Sequence, residues 1–238
     1  MATRPTLPAV AIKPTRASAP SQPPPPPPPA PPPPRDELVA PRDIGRLLRY
    51  GEAFGASKID VRMLPLQLPV ASGALAVGDA ATPNSWRVFD RPVAAGLFRV
   101  MLSVARGTDK HGPTERLAAV VIHVGRPPIA KWTVAHHRGH KPPRSADALP
   151  RVPVASGWVV LLDAGSGSPG VIAAPAATGV APVEVTLPDG RRALALPAGA
   201  GEFAAYWGVD AADKPVCLVL DFDVFTQKEW KAKPSASA

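Results

Sequence analysis

The chain has 238 residues, of which 34 are proline, and its formal net charge is +8 at pH 7. Its single cysteine excludes an internal disulfide framework and a cysteine-based zinc site. The sequence has no apolar run of about 18 residues and no hydrophobic segment typical of a signal peptide. We therefore expect a soluble, cytoplasmic protein with no membrane partner and no cofactor.

Residues 1–34 differ in composition from the rest of the chain. They contain no acidic residue, and they include the proline runs 23–29 and 31–34. Successive prolines lack amide donors and have a fixed φ, so they favour a polyproline II rod over helix or sheet. The segment is predicted to be a disordered, partly stiff tail. It serves either as a spacer or as a ligand for a domain that recognises proline-rich segments.

A short helix is predicted soon after this tail. Pro41 suits the first turn of a helix, and Asp43 lies near the positive end of the helix dipole. Three apolar residues at the spacing i, i+3 and i+4 then share one face, namely Ile44, Leu47 and Leu48.

Strand patterns dominate the remaining sequence. The segments either alternate apolar and polar residues or form short apolar runs bounded by glycine and proline. The predicted strands lie at 59–63, 74–77, 98–104, 116–124, 129–134, 157–163, 183–187 and 192–196, with two more inside 202–222. Pro188, Asp189 and Gly190 predict a type I turn with a glycine bulge between two of these strands.

Many short strands and one weak helix favour antiparallel sheets over a parallel α/β sheet. The connection Arg126–Pro128, for example, is too short to hold a crossover helix. We therefore expect a mainly β protein. It would be an antiparallel β-sandwich or barrel-like single domain at residues 35–228, with one short N-terminal helix and a flexible C-terminal tail at 229–238.

The segment 136–144 is polar, basic and irregular, and an exposed loop is predicted there. Two histidines four residues apart could share a metal ion on a helix, but glycine and proline disfavour a helix here. The neighbouring cations repel a metal ion, and no acidic residue lies between Glu115 and Asp147. We expect no metal. The loop is instead predicted to bind an acidic protein surface through His136, His137, Arg138, His140 and Arg144.

No catalytic motif is recognisable, so no catalytic residue is expected. The glycine-rich turn at 163–167 lacks both the spacing of a nucleophile elbow and a P-loop lysine. One alternative stays open, in which Asp163, Asp221 and His123 converge in a cleft and carry out acid–base chemistry. Each of them also has a structural interpretation: a turn cap, a partly buried acid paired with an arginine, and a core histidine.

Aromatic residues are few, and most are expected in the core. Trp132 and Trp158 lie inside predicted strands. Tyr206 and Trp207 predict either core positions or an aromatic wall that binds a ligand or a partner. Cys217 lies in an apolar strand and is expected to be an inert core thiol.

Three pieces of the sequence follow the order found in a known family. They are Leu68-Pro-Val-Ala-Ser-Gly-Ala-Leu-Ala-Val-Gly-Asp79, Leu161-Leu-Asp-Ala-Gly-Ser-Gly167, and Tyr206-Trp-Gly-Val-Asp with Pro215-Val-Cys-Leu-Val-Leu-Asp-Phe222. Over roughly residues 40–226 the chain resembles the bacterial domain-of-unknown-function family 4241. The resemblance implies a single strand-rich domain and no particular activity. The chain departs from the family pattern at 168–170 and 199–202, where members carry more acidic residues.

These features favour a bacterial protein-interaction module over an enzyme. An immunity or accessory protein paired with a secreted toxin is one form of this hypothesis, by association with the family. The alternative is a hydrolase-like or small-ligand-binding enzyme with a cleft near Asp163–Gly167 and Tyr206–Asp221. Nucleic-acid binding is not expected, because the arginines are scattered and are not interleaved with aromatic residues.

Overall fold

The structure is a computed structural model that describes residues 37–145, 148–165, 170–173, 175 and 179–232. The predictions for the tail 1–34, for the second half of the turn at 163–167 and for residues 233–238 lie outside the described residues. The described residues belong to one compact unit. None of the helices in this described part is long and apolar enough to cross a membrane.

Strands make up about half of the described residues. The strands are β1 (Ala53–Phe54), β2 (Ser57–Val70), β3 (Leu75–Asp79), β4 (Arg87–Val88), β5 (Gly96–Asp109), β6 (Gly112–His123), β7 (Lys131–Val134), β8 (Arg151–Val154), β9 (Trp158–Asp163), β10 (Val183–Thr186), β11 (Arg192–Pro197), β12 (Gly201–Val209) and β13 (Pro215–Asp221). Two 3₁₀ helices span Ile44–Leu48 and Pro83–Ser85, and the helix α1 spans Gln227–Lys231.

Within the described residues the strands form two antiparallel sheets. The larger sheet has eight strands in the order β1-β2-β5-β6-β13-β12-β7, and β8 also pairs with β12. The smaller sheet has five strands in the order β10-β11-β9-β3-β4. Apolar residues of both sheets share one buried cluster, which includes Val100 and Leu218 from the larger sheet and Val77 and Leu161 from the smaller one. The prediction of a mainly β, antiparallel sandwich is confirmed.

A second apolar cluster covers the outer face of the larger sheet. Ile44 and Leu47 of the first 3₁₀ helix and Trp230 of α1 pack there against strand residues such as Tyr206 and Val219. Asp43 caps the 3₁₀ helix by accepting a hydrogen bond from the backbone N–H of Gly45. The short N-terminal helix is therefore present, in the tighter 3₁₀ form.

The helix α1 lies at the end of the described residues. Thr226 and Glu229 form a capping box at the start of α1, and Trp230 is 8% exposed. A capping box satisfies two backbone donors that would otherwise have no intrahelical partner. The helix α1 spans residue 228, the predicted end of the domain.

Candidate functional site

A cleft of about 670 Å³ opens between the first 3₁₀ helix, the start of β8 and the segment that leads from β13 into α1. Arg42, Arg151, Asp223 and Trp230 are among the residues that line it. Small-molecule sites in proteins typically have volumes of roughly 300–1,000 Å³, so this cleft has a suitable size.

Asp221 lies behind the cleft as the last residue of β13. It is 2% exposed, its Oδ1 accepts a hydrogen bond from the backbone N–H of Asp223 (2.9 Å), and its Oδ2 has no hydrogen-bond partner. The nearest cation is the Arg42 guanidinium, with Nη2 3.7 Å from Oδ2. Burial raises the pKa of the Asp221 carboxyl to about 6, and Arg42 opposes this rise only in part. The sequence anticipated a buried acid paired with an arginine at this position.

Tyr206 of β12 lies on the same face of the sheet as Asp221. Its side chain is fully buried and its hydroxyl makes no hydrogen bond of good geometry. Burial, and secondly the charge of Asp221, raise the pKa of the Tyr206 hydroxyl, while Arg42 opposes the rise. The Asp221 carboxylate and the Tyr206 hydroxyl are therefore buried together behind Arg42, although buried polar groups are usually hydrogen-bonded.

Trp207 points to the opposite face and packs into the core between the sheets, 6.0 Å from the ring of Phe89. Both Tyr206 and Trp207 are 0% exposed. The pair therefore occupies core positions, one of the two alternatives that the sequence left open, and neither side chain reaches the surface. Cys217 is also buried, and burial raises the pKa of its thiol to about 12, in keeping with an inert thiol.

Asp223 is held between two arginines at the edge of the cleft. Arg42 Nη2 donates a hydrogen bond to its Oδ1 (3.0 Å), and Arg151 Nη1 lies 3.8 Å from its Oδ2. The backbone of Asp223 has a φ of +51°, in the left-handed region that non-glycine residues rarely adopt. Such strain is often found at ligand-binding positions.

The histidine-containing segment after β7 is folded back against β4. The backbone N–H of Asp90 donates to the carbonyl of His136, and that of Arg138 donates to the carbonyl of Val88. His136 and His137 are consequently 8% and 5% exposed, so the prediction that they form an exposed surface is wrong. Backbone hydrogen bonds between residues 88–90 and 136–138 bury both histidines, and no feature of the sequence around them predicts this long-range pairing.

The remaining residues of this segment, 138–144, form what we call the basic loop. Arg138, His140, Lys141 and Arg144 are exposed, as expected from the prediction of an exposed loop at 136–144. None of the four is ion-paired with a carboxylate of the described residues. Burial, followed by the charges of His140 and Arg87, lowers the pKa of His137 to about 4, so His137 stays neutral beneath the loop.

His136 lies beside two carboxylates that the sequence did not associate with it. One ligand atom from each of Glu37, Asp90 and His136 lies within 4.8 Å of the other two, an arrangement of residue types that could hold a metal ion. The buried guanidinium of Arg91 lies against the same group, however, and pairs with Glu37 and with Asp213 (3.2 Å). A cationic side chain therefore already neutralises part of this cluster, which disfavours a divalent cation there.

Asp163, Asp221 and His123 do not come together. Asp163 ends β9 of the smaller sheet and accepts hydrogen bonds from the backbone N–H and the hydroxyl of Ser72, which fixes a turn. His123 pairs with Cys217, four residues before Asp221 on β13. At about 3.3 Å per residue, His123 and Asp221 are about 13 Å apart along the strand. The geometry thus gives no support to the catalytic alternative.

Comparison with known families agrees with the resemblance drawn from the sequence. A family model described as "Protein of unknown function (DUF4241)" matches residues 68–165. The match contains the first of the three shared pieces and the second as far as Gly165, whereas the piece at 206–222 lies beyond it. Searches of curated proteins and of solved structures gave no match.

Proposed function

We propose that this chain is a protein-interaction module that binds an acidic surface of a partner protein through the basic loop. The observation that carries the proposal is the group of exposed cations at Arg138, Lys141 and Arg144, which have no carboxylate partner among the described residues. Arg62 and Arg106, for example, pair with Glu115 at 2.5 and 3.2 Å. Single exposed lysines such as Lys58 and Lys110 have no such pair within the described part of the chain either, but the loop brings three cations together within seven residues.

The base of the basic loop is fixed by backbone pairing. Phe89 and His137 form an antiparallel bridge, and the backbone N–H of His140 donates to the carbonyl of His137. A loop held in this way loses less conformational entropy when it binds than a mobile one does. Unpaired surface charges also steer an oppositely charged partner into contact and fix its orientation.

Two narrower proposals follow from the sequence. One is that the module is a bacterial immunity or accessory protein, in which case the acidic surface belongs to a toxin. Its support is the resemblance to a bacterial family. The other is that the proline-rich segment 1–34 binds a domain that recognises polyproline. Its support is the composition of that segment.

The test is a charge-reversal variant that combines Arg138→Glu, Lys141→Glu and Arg144→Glu. A matched control reverses three exposed lysines at other sites, Lys58, Lys110 and Lys214, which gives the same change in net charge. Each protein is used as bait in cross-linking and affinity purification from the organism that encodes it. We expect a stoichiometric partner with an acidic surface, retained by the control and lost by the loop variant.

Two results would contradict the proposal: wild-type bait with no stoichiometric partner, or equal recovery by both variants. A nucleic-acid partner is distinguished by salt. The logarithm of its affinity falls with the logarithm of salt concentration in proportion to the number of phosphate contacts. A steep fall with a duplex probe, together with no binding to an acidic protein, would replace this function with nucleic-acid binding.

A further inference from the structure

We propose that the cleft beside Asp221 binds a small organic molecule that carries a carboxylate or a phosphate group, with Arg42 and Arg151 as its charged contacts. The site goes beyond the proposed docking function, because it uses none of the residues of the basic loop.

The two guanidinium groups have donors left for a ligand. A guanidinium carries five N–H donors in a planar fork that matches carboxylate and phosphate oxygens. Arg42 donates one hydrogen bond to Asp223 and also interacts with the Tyr206 hydroxyl, and Arg151 donates one hydrogen bond to the backbone carbonyl of Glu202. Their side chains are 21% and 35% exposed at the cleft, so an anion in the cleft can reach both.

The side chains behind Arg42 favour a fixed position for its guanidinium. On one side it faces the carboxylate of Asp221, and on another it lies over the ring of Trp230, 4.8 Å from the centroid. Asp221 Oδ2 and the Tyr206 hydroxyl are more than nine-tenths buried and have no hydrogen-bond partner of good geometry. Buried polar groups that are left unsatisfied reduce stability, and they are concentrated at functional sites. Asp221 is thus assigned as a positioning residue for Arg42.

The other carboxylates near the cleft leave room for an anion. Asp43 lines the cleft, but it caps the 3₁₀ helix and pairs with Arg49 at 3.3 Å, so its charge is already partly neutralised. Asp223 is the carboxylate that competes, because it lies between Arg42 and Arg151. Apolar side chains, among them Leu149 and Val224, complete the lining. They would contact the hydrocarbon part of the ligand.

Because Asp223 competes with the ligand, some variants should weaken anion binding and another should strengthen it. Phenyl phosphate and benzoate serve as probes, benzamide serves as the neutral analogue, and ligand-observed NMR titration gives the dissociation constants. Arg42→Gln and Arg151→Gln should each weaken anion binding about tenfold, the loss expected for a charge-assisted hydrogen bond. Asp223→Asn should strengthen it, because asparagine tolerates positive φ and lacks the competing charge. Arg192→Gln, at a surface arginine paired with Glu184, should change nothing.

The comparison of the two probes identifies the anionic group, since the natural ligand carries the group that binds more tightly. Circular dichroism checks that each variant is folded. If Arg42→Gln fails to fold, Arg151→Gln and Asp223→Asn still decide the question. The proposal is overturned if neither anion binds more tightly than benzamide. It is also overturned if Arg151→Gln and Asp223→Asn leave the affinity unchanged, since binding would then occur elsewhere on the surface.

Discussion

Arg42 Nη2 lies 3.7 Å from Oδ2 of Asp221, too far for a hydrogen bond, although the carboxylate is 2% exposed. Desolvation therefore outweighs the ion pair, and the pKa of Asp221 rises from 3.8 to about 6. Because the folded protein binds this proton more tightly than the unfolded chain does, Asp221 stabilises the fold below about pH 4. That contribution is lost as the pH rises through 6.

Replacing Asp221 with asparagine should therefore stabilise the protein at neutral pH. A difference of about two pKa units corresponds to an upper limit of about 3 kcal/mol, and we expect about 1–3 kcal/mol at pH 8. Asparagine keeps an oxygen for the backbone N–H of Asp223 and removes the buried charge. Urea unfolding at pH 8 and pH 4 measures the effect, which should be present at pH 8 and absent at pH 4. A loss of stability at pH 8 would mean that the ion pair with Arg42 outweighs desolvation.

The contribution of His137 to the stability of the fold should depend on pH in the opposite sense. Its pKa is lowered from 6.5 to about 4, first by burial and then by His140 and Arg87. The unfolded chain binds this proton more tightly, so His137 destabilises the fold increasingly as the pH falls from 6.5 to 4. His137→Gln should remove that part of the acid sensitivity. Its control is His111→Gln at an exposed position, which should leave the pH profile of the unfolding free energy unchanged.

The two groups titrate across nearly the same pH range with opposite effects on stability. Between about pH 4 and 6.5, acidification is favourable for Asp221 and unfavourable for His137. We expect the wild-type unfolding free energy to change less across this range than that of either single variant. Asp221→Asn should make the protein more sensitive to acid, and His137→Gln should make it more stable as the pH falls. Equal slopes for the wild type and both variants would contradict both assignments.

The sequence predicted a strand correctly where an alternating or apolar pattern lies within that strand's own residues. The prediction for β2 ended at Met63, yet the strand continues through Pro65 and Pro69 to Val70. Proline is tolerated because β2 lies near the edge of the sheet, where an amide donor is not needed on the open side. The strand β8 was missed altogether. Its two buried valines, Val152 and Val154, alternate with exposed residues, but the pattern is too short to distinguish from a loop.

The candidate sites were less accessible to sequence reasoning, because their residues come from distant parts of the chain. A buried Asp221 with an arginine partner could be inferred from its position after an apolar strand. Nothing in the sequence identifies Arg42 as that partner, since the contact depends on how the N-terminal segment packs on the outer face of the larger sheet. The cluster of Glu37, Asp90 and His136 was missed for the same reason. The spacing of residues in a sequence can reveal a set of metal ligands only when a single helix, strand or loop contains all of them.

Trp230 should contribute strongly to stability, although it lies in the predicted tail at 229–238. Its ring meets that of Phe54 edge-on at 4.9 Å, and its carbonyl accepts a hydrogen bond from the buried Arg46 (2.6 Å). We expect Trp230→Ala to lower the free energy of unfolding by about 3–5 kcal/mol, as for other large buried aromatics. Chemical denaturation measures the loss. Lys228→Ala on the exposed side of the same helix is the control, and a loss below about 1 kcal/mol for Trp230→Ala would show that α1 is not needed for the fold.

Gly208 in the Tyr-Trp-Gly sequence should not tolerate a side chain. A Cβ at this position would lie 2.8 Å from Cys217 Sγ and 2.9 Å from the ring of Trp132, both closer than real Cβ contacts. We expect Gly208→Ala to lower the free energy of unfolding by about 1–3 kcal/mol through overpacking. The matched control is Gly96→Ala, also in a strand, where the nearest atom would be 3.8 Å away and little change is expected.

The clash at Gly208 can be assigned to its partner with a double-mutant cycle. Removing the sulfur with Cys217→Ala relieves the closest contact, so Gly208→Ala should be less harmful in that background than in the wild type. The contact with Trp132 remains, and the rescue should therefore be incomplete. Strictly additive effects would show that the ring of Trp132, and not the sulfur of Cys217, resists the added methyl group.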